Sequence, residues 1–272
     1  MKSIAFGQYY PANSLLHKLD PRVKIILTIL YIVCSFVCKN ILSYALLLLS
    51  ALLLVAIGRI PLKIVLRGLR AVLFVLTFTA ILNIFWTAGE HMLFEWKFIK
   101  IYLEGLYAAL FMIVRITALI IGTSMLMTYT TTPIALTNAI EDLLSPLKKL
   151  HIPVHSFAMM MTIALRFIPT LTEETDRIMT AQKARGADFA SGSLVSRAKA
   201  LIPVLIPLFV SAFNRASDLA TAMECRCYHG GEGRTRMTVR HMRFVDIIPL
   251  FVIVIFAASL IVLNILSIGY TM

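Results

Sequence analysis

An all-α fold that crosses a membrane several times is predicted by three features of this sequence. Of its 272 residues 59% are hydrophobic and mean hydropathy is +0.85, well above the roughly 45–50% apolar content of soluble domains. The excess is gathered into blocks near the roughly 20 residues a helix needs to cross a bilayer. One long, charged stretch interrupts them before a final apolar block. The predicted architecture is therefore about five transmembrane helices, with long cytoplasmic helices between spans four and five.

The spans are predicted at Val23–Cys38, Ile41–Ile57, Ala71–Ala88, Tyr107–Met127 and Ile247–Ile268. The first two are short and can borrow flanking residues, and the Cys38–Asn40 stretch between them reads as a tight turn. The first 20 residues are polar without a cleavable signal pattern, so the first span is expected to serve as the insertion signal. Basic residues in short loops set orientation. Lys2, Lys18, Arg22, Lys24, Arg59, Lys63, Arg67 and Arg70 lie on one side, against Lys39, Lys97 and Lys100 on the other. This predicts a cytoplasmic N-terminus and an extracellular C-terminus, with Thr128–Asp246 in the cytoplasm. The formal net charge of +12 then suits loops facing anionic lipid and cytosol. No basic tract interleaved with aromatics points to nucleic acid.

Within the long segment, Leu136, Ile140, Leu143, Leu144 and Leu147 share one helical face. "SFAMMMTIALRFIPTL" and "KALIPVLIPLFVSAF" are apolar for about 14 residues each and contain Pro169, Pro203 and Pro207. They read as too short and interrupted to span, and as the first halves of two long helices under or partly inside the membrane; re-entrant spans are the competing reading. The second halves, "TEETDRIMTAQKARG" and "NRASDLATAMECRCY", are polar. Each carries a Thr-Ala pair followed five residues later by an arginine, Arg185 and Arg226, 41 residues apart. Gly186 is a natural helix stop after the first, and Gly230, Gly231 and Gly233 after the second. Each arginine is thus expected at the cytosolic tip of a long helix.

Catalytic signatures are missing. No phosphate-binding G-x-x-x-x-G-K-[ST], H-E-x-x-H or G-x-S-x-G occurs, and no cofactor is implied. His151 and His155 flank Pro153 as in a turn. The four cysteines form two close pairs, Cys34 with Cys38 and Cys225 with Cys227, unlike a secreted disulfide framework. Cys225, Cys227 and His229 could approach a soft metal only if the helix ended before them; small residues flanking Arg226 is the preferred reading, and no metal site is assigned. Arg115 is the charge well inside a span, and such a charge is a functional hypothesis by default. Glu104, eleven residues along the same helix and so out of easy reach, and Asn83 on another span are its candidate partners, and a structural role, as a hydrogen-bond anchor or a contact with a partner subunit, is the preferred reading.

A solvated charge is the usual fate of arginine, but two at matched helix ends imply two matched sockets. A guanidinium forms forked hydrogen bonds to carboxylates and carbonyls, which suits docking, and a dimer is the natural object with two similar sockets.

The chain resembles the transmembrane T components of energy-coupling factor transporters over nearly its whole length. "YYPANSLLHKLDPRVKI" is similar to that family's N-terminal signature, "ALRFIPTLTEETDRIMTAQKARG" to the helix leading to its first x-Arg-x motif, and "AMECRCYHGGEGRTR" to the second. The family's small neighbours of the second arginine are Cys225 and Cys227 here. The resemblance implies a non-catalytic scaffold that docks two ATPase subunits through coupling helices at Ala184, Arg185, Gly186, Cys225, Arg226 and Cys227. It also implies a small membrane-embedded S component that binds a vitamin or metal and topples when the ATPases close. Met159, Met160, Met161, Phe209, Ser211 and Ala212, of types that repack easily or permit close approach, are its candidate contacts.

The chain is thus divided into a membrane domain over 1–127, a coupling domain over 128–245 and a last helix over 246–272. Competing classes are a membrane enzyme acting on a lipid-linked substrate, for which only Glu173, Glu174 and Asp176 cluster, and a stand-alone carrier, for which the spans offer almost no acids.

Overall fold

The computed structural model describes residues 9–87, 91–96, 99–150, 153–189, 191, 193–230 and 243–266. Their order is α1 (Leu15–Lys18), α2 (Pro21–Val37), α3 (Ile41–Gly58), α4 (Leu62–Trp86), β1 (Met92–Trp96), β2 (Ile99–Tyr102), α5 (Leu103–Thr123), α6 (Pro133–Leu143), α7 (Val154–Ala184), α8 (Leu194–Cys225) and α9 (Phe244–Ile265). The predicted helical class holds. Its one strand element among the described residues is the antiparallel β1–β2 ribbon, absent from the sequence expectation. A π-helical turn over Ser124–Thr128 prolongs α5.

Helices α3, α5, α7, α8 and α9 are long and apolar enough to cross a membrane. Helix α4 is bent by 57° between Leu62–Arg70 and Val72–Trp86, so the predicted third span is the second limb of a longer helix whose first limb carries Lys63, Arg67 and Arg70. Helix α2, with 17 residues, is the predicted first span. Both grounds for reading the apolar halves of α7 and α8 as unable to span, length and interruption, are corrected: both helices are long and apolar enough to cross. Pro169 lies inside the continuous 31-residue α7, and Pro203 and Pro207 inside the 32-residue α8, so they do not interrupt the helices. Each proline removes one backbone donor and leaves the rest of the helical ladder to carry on.

The chain divides into two compact units, one of Met1–Leu136 with Arg240–Met272, the other of Thr137–Val239. In the first, α2, α3, α5 and α9 surround a core that includes Tyr31, Leu47, Ala118, Met125 and Leu260. Glycine sets one approach: a methyl on Gly122 of α5 would fall on the Tyr31 ring of α2.

Polar residues lock this unit at both ends. His17 donates from Nε2 to the Tyr10 carbonyl at 2.8 Å, so its Nδ1 accepts from the Ser14 hydroxyl at 2.7 Å. Asp20 caps α2 by accepting from the Arg22 N–H, and its own N–H donates to Asp246 Oδ1 of α9 at 2.9 Å. The Lys24 ammonium is buried and donates to the Thr130 carbonyl at 2.8 Å and to the Thr130 and Thr131 hydroxyls at 3.3 Å. The far end closes on the tight α2–α3 turn. Asn264 donates to the Val37 carbonyl at 2.6 Å and accepts from the Ser43 hydroxyl, while Asn40 donates to the Leu263 carbonyl.

Arg115 joins that far end. Its guanidinium donates to the Cys38 carbonyl at 3.1 Å and to the Tyr44 hydroxyl. The candidate partners named from sequence are engaged elsewhere: Glu104 accepts from the His91 N–H and Asn83 donates to the Thr79 carbonyl. The reach explains this, because Glu104 lies eleven residues, or about 16 Å, along the same helix.

Candidate functional site

In the second unit, α7 and α8 run past one another in opposite senses. The Arg215 guanidinium meets Glu174 Oε2 at 2.7 Å, and Gln182, further along α7, donates to the carbonyl of Pro203, further back along α8. Glu174 is therefore more than part of a solvated acidic face. Positions 174 and 215 are themselves 41 residues apart, so this ion pair joins equivalent positions of the two helices, whereas the Gln182–Pro203 bond does not.

From that ion pair, eleven residues lead along α7 to Arg185 and eleven along α8 to Arg226. At 1.5 Å per residue each arm is about 16 Å long. The opposite helix senses carry the arginines outward on opposite arms. They are not brought together.

The two tips have the same local structure. At the first, Arg185 is the C-cap with φ −87° and ψ 6°. The Gly186 N–H donates to the Lys183 carbonyl at 3.0 Å and the Ala187 N–H to the Gln182 carbonyl at 3.0 Å. At the second, Arg226 is the C-cap with φ −94° and ψ 17°. The Cys227 N–H donates to the Glu224 carbonyl at 2.8 Å and the Tyr228 N–H to the Met223 carbonyl at 3.0 Å. Every donor and acceptor of the second set is the first plus 41. Both are Schellman caps, in which the residue after the cap turns left-handed and its crossed bonds satisfy the last free carbonyls.

The left-handed residue is Gly186 at φ 87° in one tip and Cys227 at φ 57° in the other. Glycine adopts that region without steric cost, whereas a Cβ makes it unfavourable. The glycine-rich run is thus not what stops α8, contrary to the sequence expectation; the helix has already ended before Gly230, and Gly231 and Gly233 lie outside the described residues. Ala184, Arg185, Gly186, Cys225, Arg226 and Cys227 are all exposed. Neither guanidinium has a hydrogen bond or ion pair among the described residues, so both heads are available to another molecule. His151 lies outside the described residues. His155 pairs through Nδ1 with the buried Glu141 at 3.0 Å, a tie within the unit. Among the described residues no three His, Cys, Asp or Glu side chains group to hold a metal.

The other predicted residues line the helix shafts. Met160, Met161 and Phe209 are exposed, while Met159, Ser211 and Ala212 are half-buried. The Phe209 and Phe213 rings lie 4.9 Å apart on one exposed ridge of α8. The Glu174–Arg215 crossing was not singled out from sequence; the same 41-residue offset that relates the arginines would have found it.

The sequence profile of the cobalt transport protein family matches residues 12–237, across α1 to α8 and both tips. The chain belongs to that family. Its relatives in this cobalt transport protein family include the energy-coupling factor transporter transmembrane protein EcfT of Ruminiclostridium cellulolyticum, 53% identical over 97% of this chain and 98% of its own length. The proteins of the same name from Clostridium kluyveri and Bacillus subtilis are 52% and 49% identical, each over 87% of this chain and covered to 88% and 89%. A member of this family with these apolar helices is a multi-pass cell-membrane protein and the transmembrane component of an energy-coupling factor transporter.

Proposed function

We propose that this chain transmits motion from two cytoplasmic ATPase subunits to a small substrate-binding S component in micronutrient import, and itself neither binds nor hydrolyses ATP. The carrying observation is the pair of arginine-tipped Schellman caps, alike in both crossed hydrogen bonds at a constant offset. Two like plugs on arms of equal length call for two like sockets, which a dimer of ATPases offers. Arg185 and Arg226 are the docking heads, with Ala184, Gly186, Cys225 and Cys227 as the small neighbours that let a groove wall approach. The Glu174–Arg215 crossing is the pivot through which closing of the ATPases would spread or draw in the arms.

Like caps also favour one compartment for both tips. If α7 and α8 each crossed the bilayer in opposite senses, one arginine would face outward and meet no ATPase. The coupling segment, residues 128–245, is accordingly placed at the cytoplasmic membrane face, with the N-terminus of the chain cytoplasmic and its C-terminus extracellular. The apolar shafts around Met159, Met160, Met161, Phe209, Ser211 and Ala212 are the surface against which the S component would slide.

Co-purification tests this. The Arg185→Glu/Arg226→Glu chain is expected to recover at most a small fraction of the wild-type ATPase yield, since breaking one side of a buried charge pair costs about 3–5 kcal/mol, a hundredfold or more. Wild-type recovery would refute the docking assignment.

A further inference from the structure

Within the first unit an apolar crevice of about 500 Å³ opens between α1, α2, α3 and α9. Its walls include Leu27 and Tyr31 of α2, Leu53 and Ile57 of α3, and Val252 and Phe256 of α9. Beside it lies a second hollow with a different lining: Asn13, Ser14, Lys18 and Arg59. Leu15 and Ile57 belong to both, so the two spaces adjoin across one wall. One is greasy and deep, the other polar and basic.

Their dimensions fit the bilayer. Along α9 the crevice runs from Val245 to Phe256, eleven residues or about 16 Å, which is about half of the ~30 Å hydrocarbon core. The basic hollow sits where α1 ends, where α3 ends and close to where α9 begins, at one end of these apolar helices, and the crevice extends from it along α9. Lys18 and Arg59 are exposed and have no carboxylate partner among the described residues. The hydroxyls at the deep end satisfy one another or the helix: Ser50 donates to the Leu47 carbonyl at 2.7 Å, and Tyr31 to the Ala118 carbonyl. The crevice therefore offers a ligand no polar group except at its mouth.

We propose that this paired crevice and hollow is a binding site for an anionic phospholipid of the leaflet on the Lys18 and Arg59 side. The acyl chain lies along α9 and the phosphate sits between the ammonium and the guanidinium. A phospholipid is the occupant because both halves of its chemistry are matched in order: charge at the surface, then one leaflet's depth of hydrocarbon. A soluble phosphate would leave the crevice empty, and a neutral lipid would leave two cations without a partner. This assignment does not rest on ATPase docking.

The test uses the full chain in its assembled transporter, reconstituted in mixed phosphatidylglycerol and phosphatidylcholine bilayers, released gently and weighed by native mass spectrometry. The expected result is retained phosphatidylglycerol in clear preference to phosphatidylcholine, unaffected by added inorganic phosphate. In Lys18→Gln/Arg59→Gln the preference is expected to fall on the order of tenfold, since each surface cation contributes appreciably to anionic-lipid attraction. The conservative Lys18→Arg/Arg59→Lys should keep it, which separates lost charge from misfolding. Arg67→Gln/Arg70→Gln, which removes two exposed cations outside the hollow, should also keep it. Val252→Trp, which fills the crevice, should lower retention of both lipids. An unchanged preference in Lys18→Gln/Arg59→Gln, an equal loss in Arg67→Gln/Arg70→Gln, displacement by inorganic phosphate, or no retained lipid in the assembly would each overturn the proposal. The last result would assign the crevice to a protein contact.

Discussion

The two units bury their apolar surface to different degrees. In the first, 33% of the apolar stretch of α3 and of α5 and 17% of that of α9 are buried inside the chain, and buried polar groups tie the helices together. In the second, 11% of the apolar stretch of α7 and 6% of that of α8 are buried, and Phe157, Leu205, Phe209 and Phe213 stand exposed. Large exposed apolar patches mark contact with lipid or another protein. The first unit is held by its own side chains. The second carries its apolar surface on the outside and leaves the cover to its surroundings.

That contrast predicts unequal responses to the loss of one cation. Lys24→Ala removes the donor to the Thr130 carbonyl and to two hydroxyls in a buried site, and is expected to cost about 3 kcal/mol. Thermal unfolding in detergent would show it as a large fall in midpoint. Arg185→Ala, at an exposed tip, should stay within about 0.5 kcal/mol in the same measurement. Equal effects would erase the distinction between the units.

A smaller effect is expected at the crossing of α7 and α8. A double-mutant cycle over Glu174→Gln and Arg215→Gln should return a coupling of about 0.5–1 kcal/mol, the range for partly exposed pairs. A coupling near zero would remove the pivot. Smallest of all is the difference between the tips. Cys227→Gly should relieve the left-handed strain and stabilise the second cap by about 0.5 kcal/mol, slowing hydrogen exchange of the Tyr228 amide by about twofold. Gly186→Ala should do the reverse at Ala187. Because nothing lies within 4 Å of where a Gly186 Cβ would sit, that change reports backbone strain alone.

Much of the fold was legible because it follows from local chemistry. Apolar blocks of span length gave most of the membrane helices, and the Asp20–Pro21 pair marks where α2 starts, since aspartate caps and proline fits the first turn. The tips were legible as repeated arginines, and Gly186 as the stop of α7. The stop of α8 was misassigned to the glycines because a cysteine at positive φ is not a sequence signal. The partners of Arg115 were missed for another reason: the Cys38 carbonyl and the Tyr44 hydroxyl belong to a different helix pair, and a backbone carbonyl carries no residue-type signature.

By itself, then, the sequence determined which stretches are helical and apolar, that the arginine device occurs twice at a fixed interval, and, through its resemblance, the family. Each of these depends on residues near one another along the chain, where periodicity and capping act. Only the tertiary structure decided that Lys24 and Asp246 are buried ties, that Glu174 of α7 pairs with Arg215 of α8, and that a basic hollow adjoins an apolar crevice. Those depend on which distant segments pack together, and packing is settled by shape and by the pairing of buried polar groups.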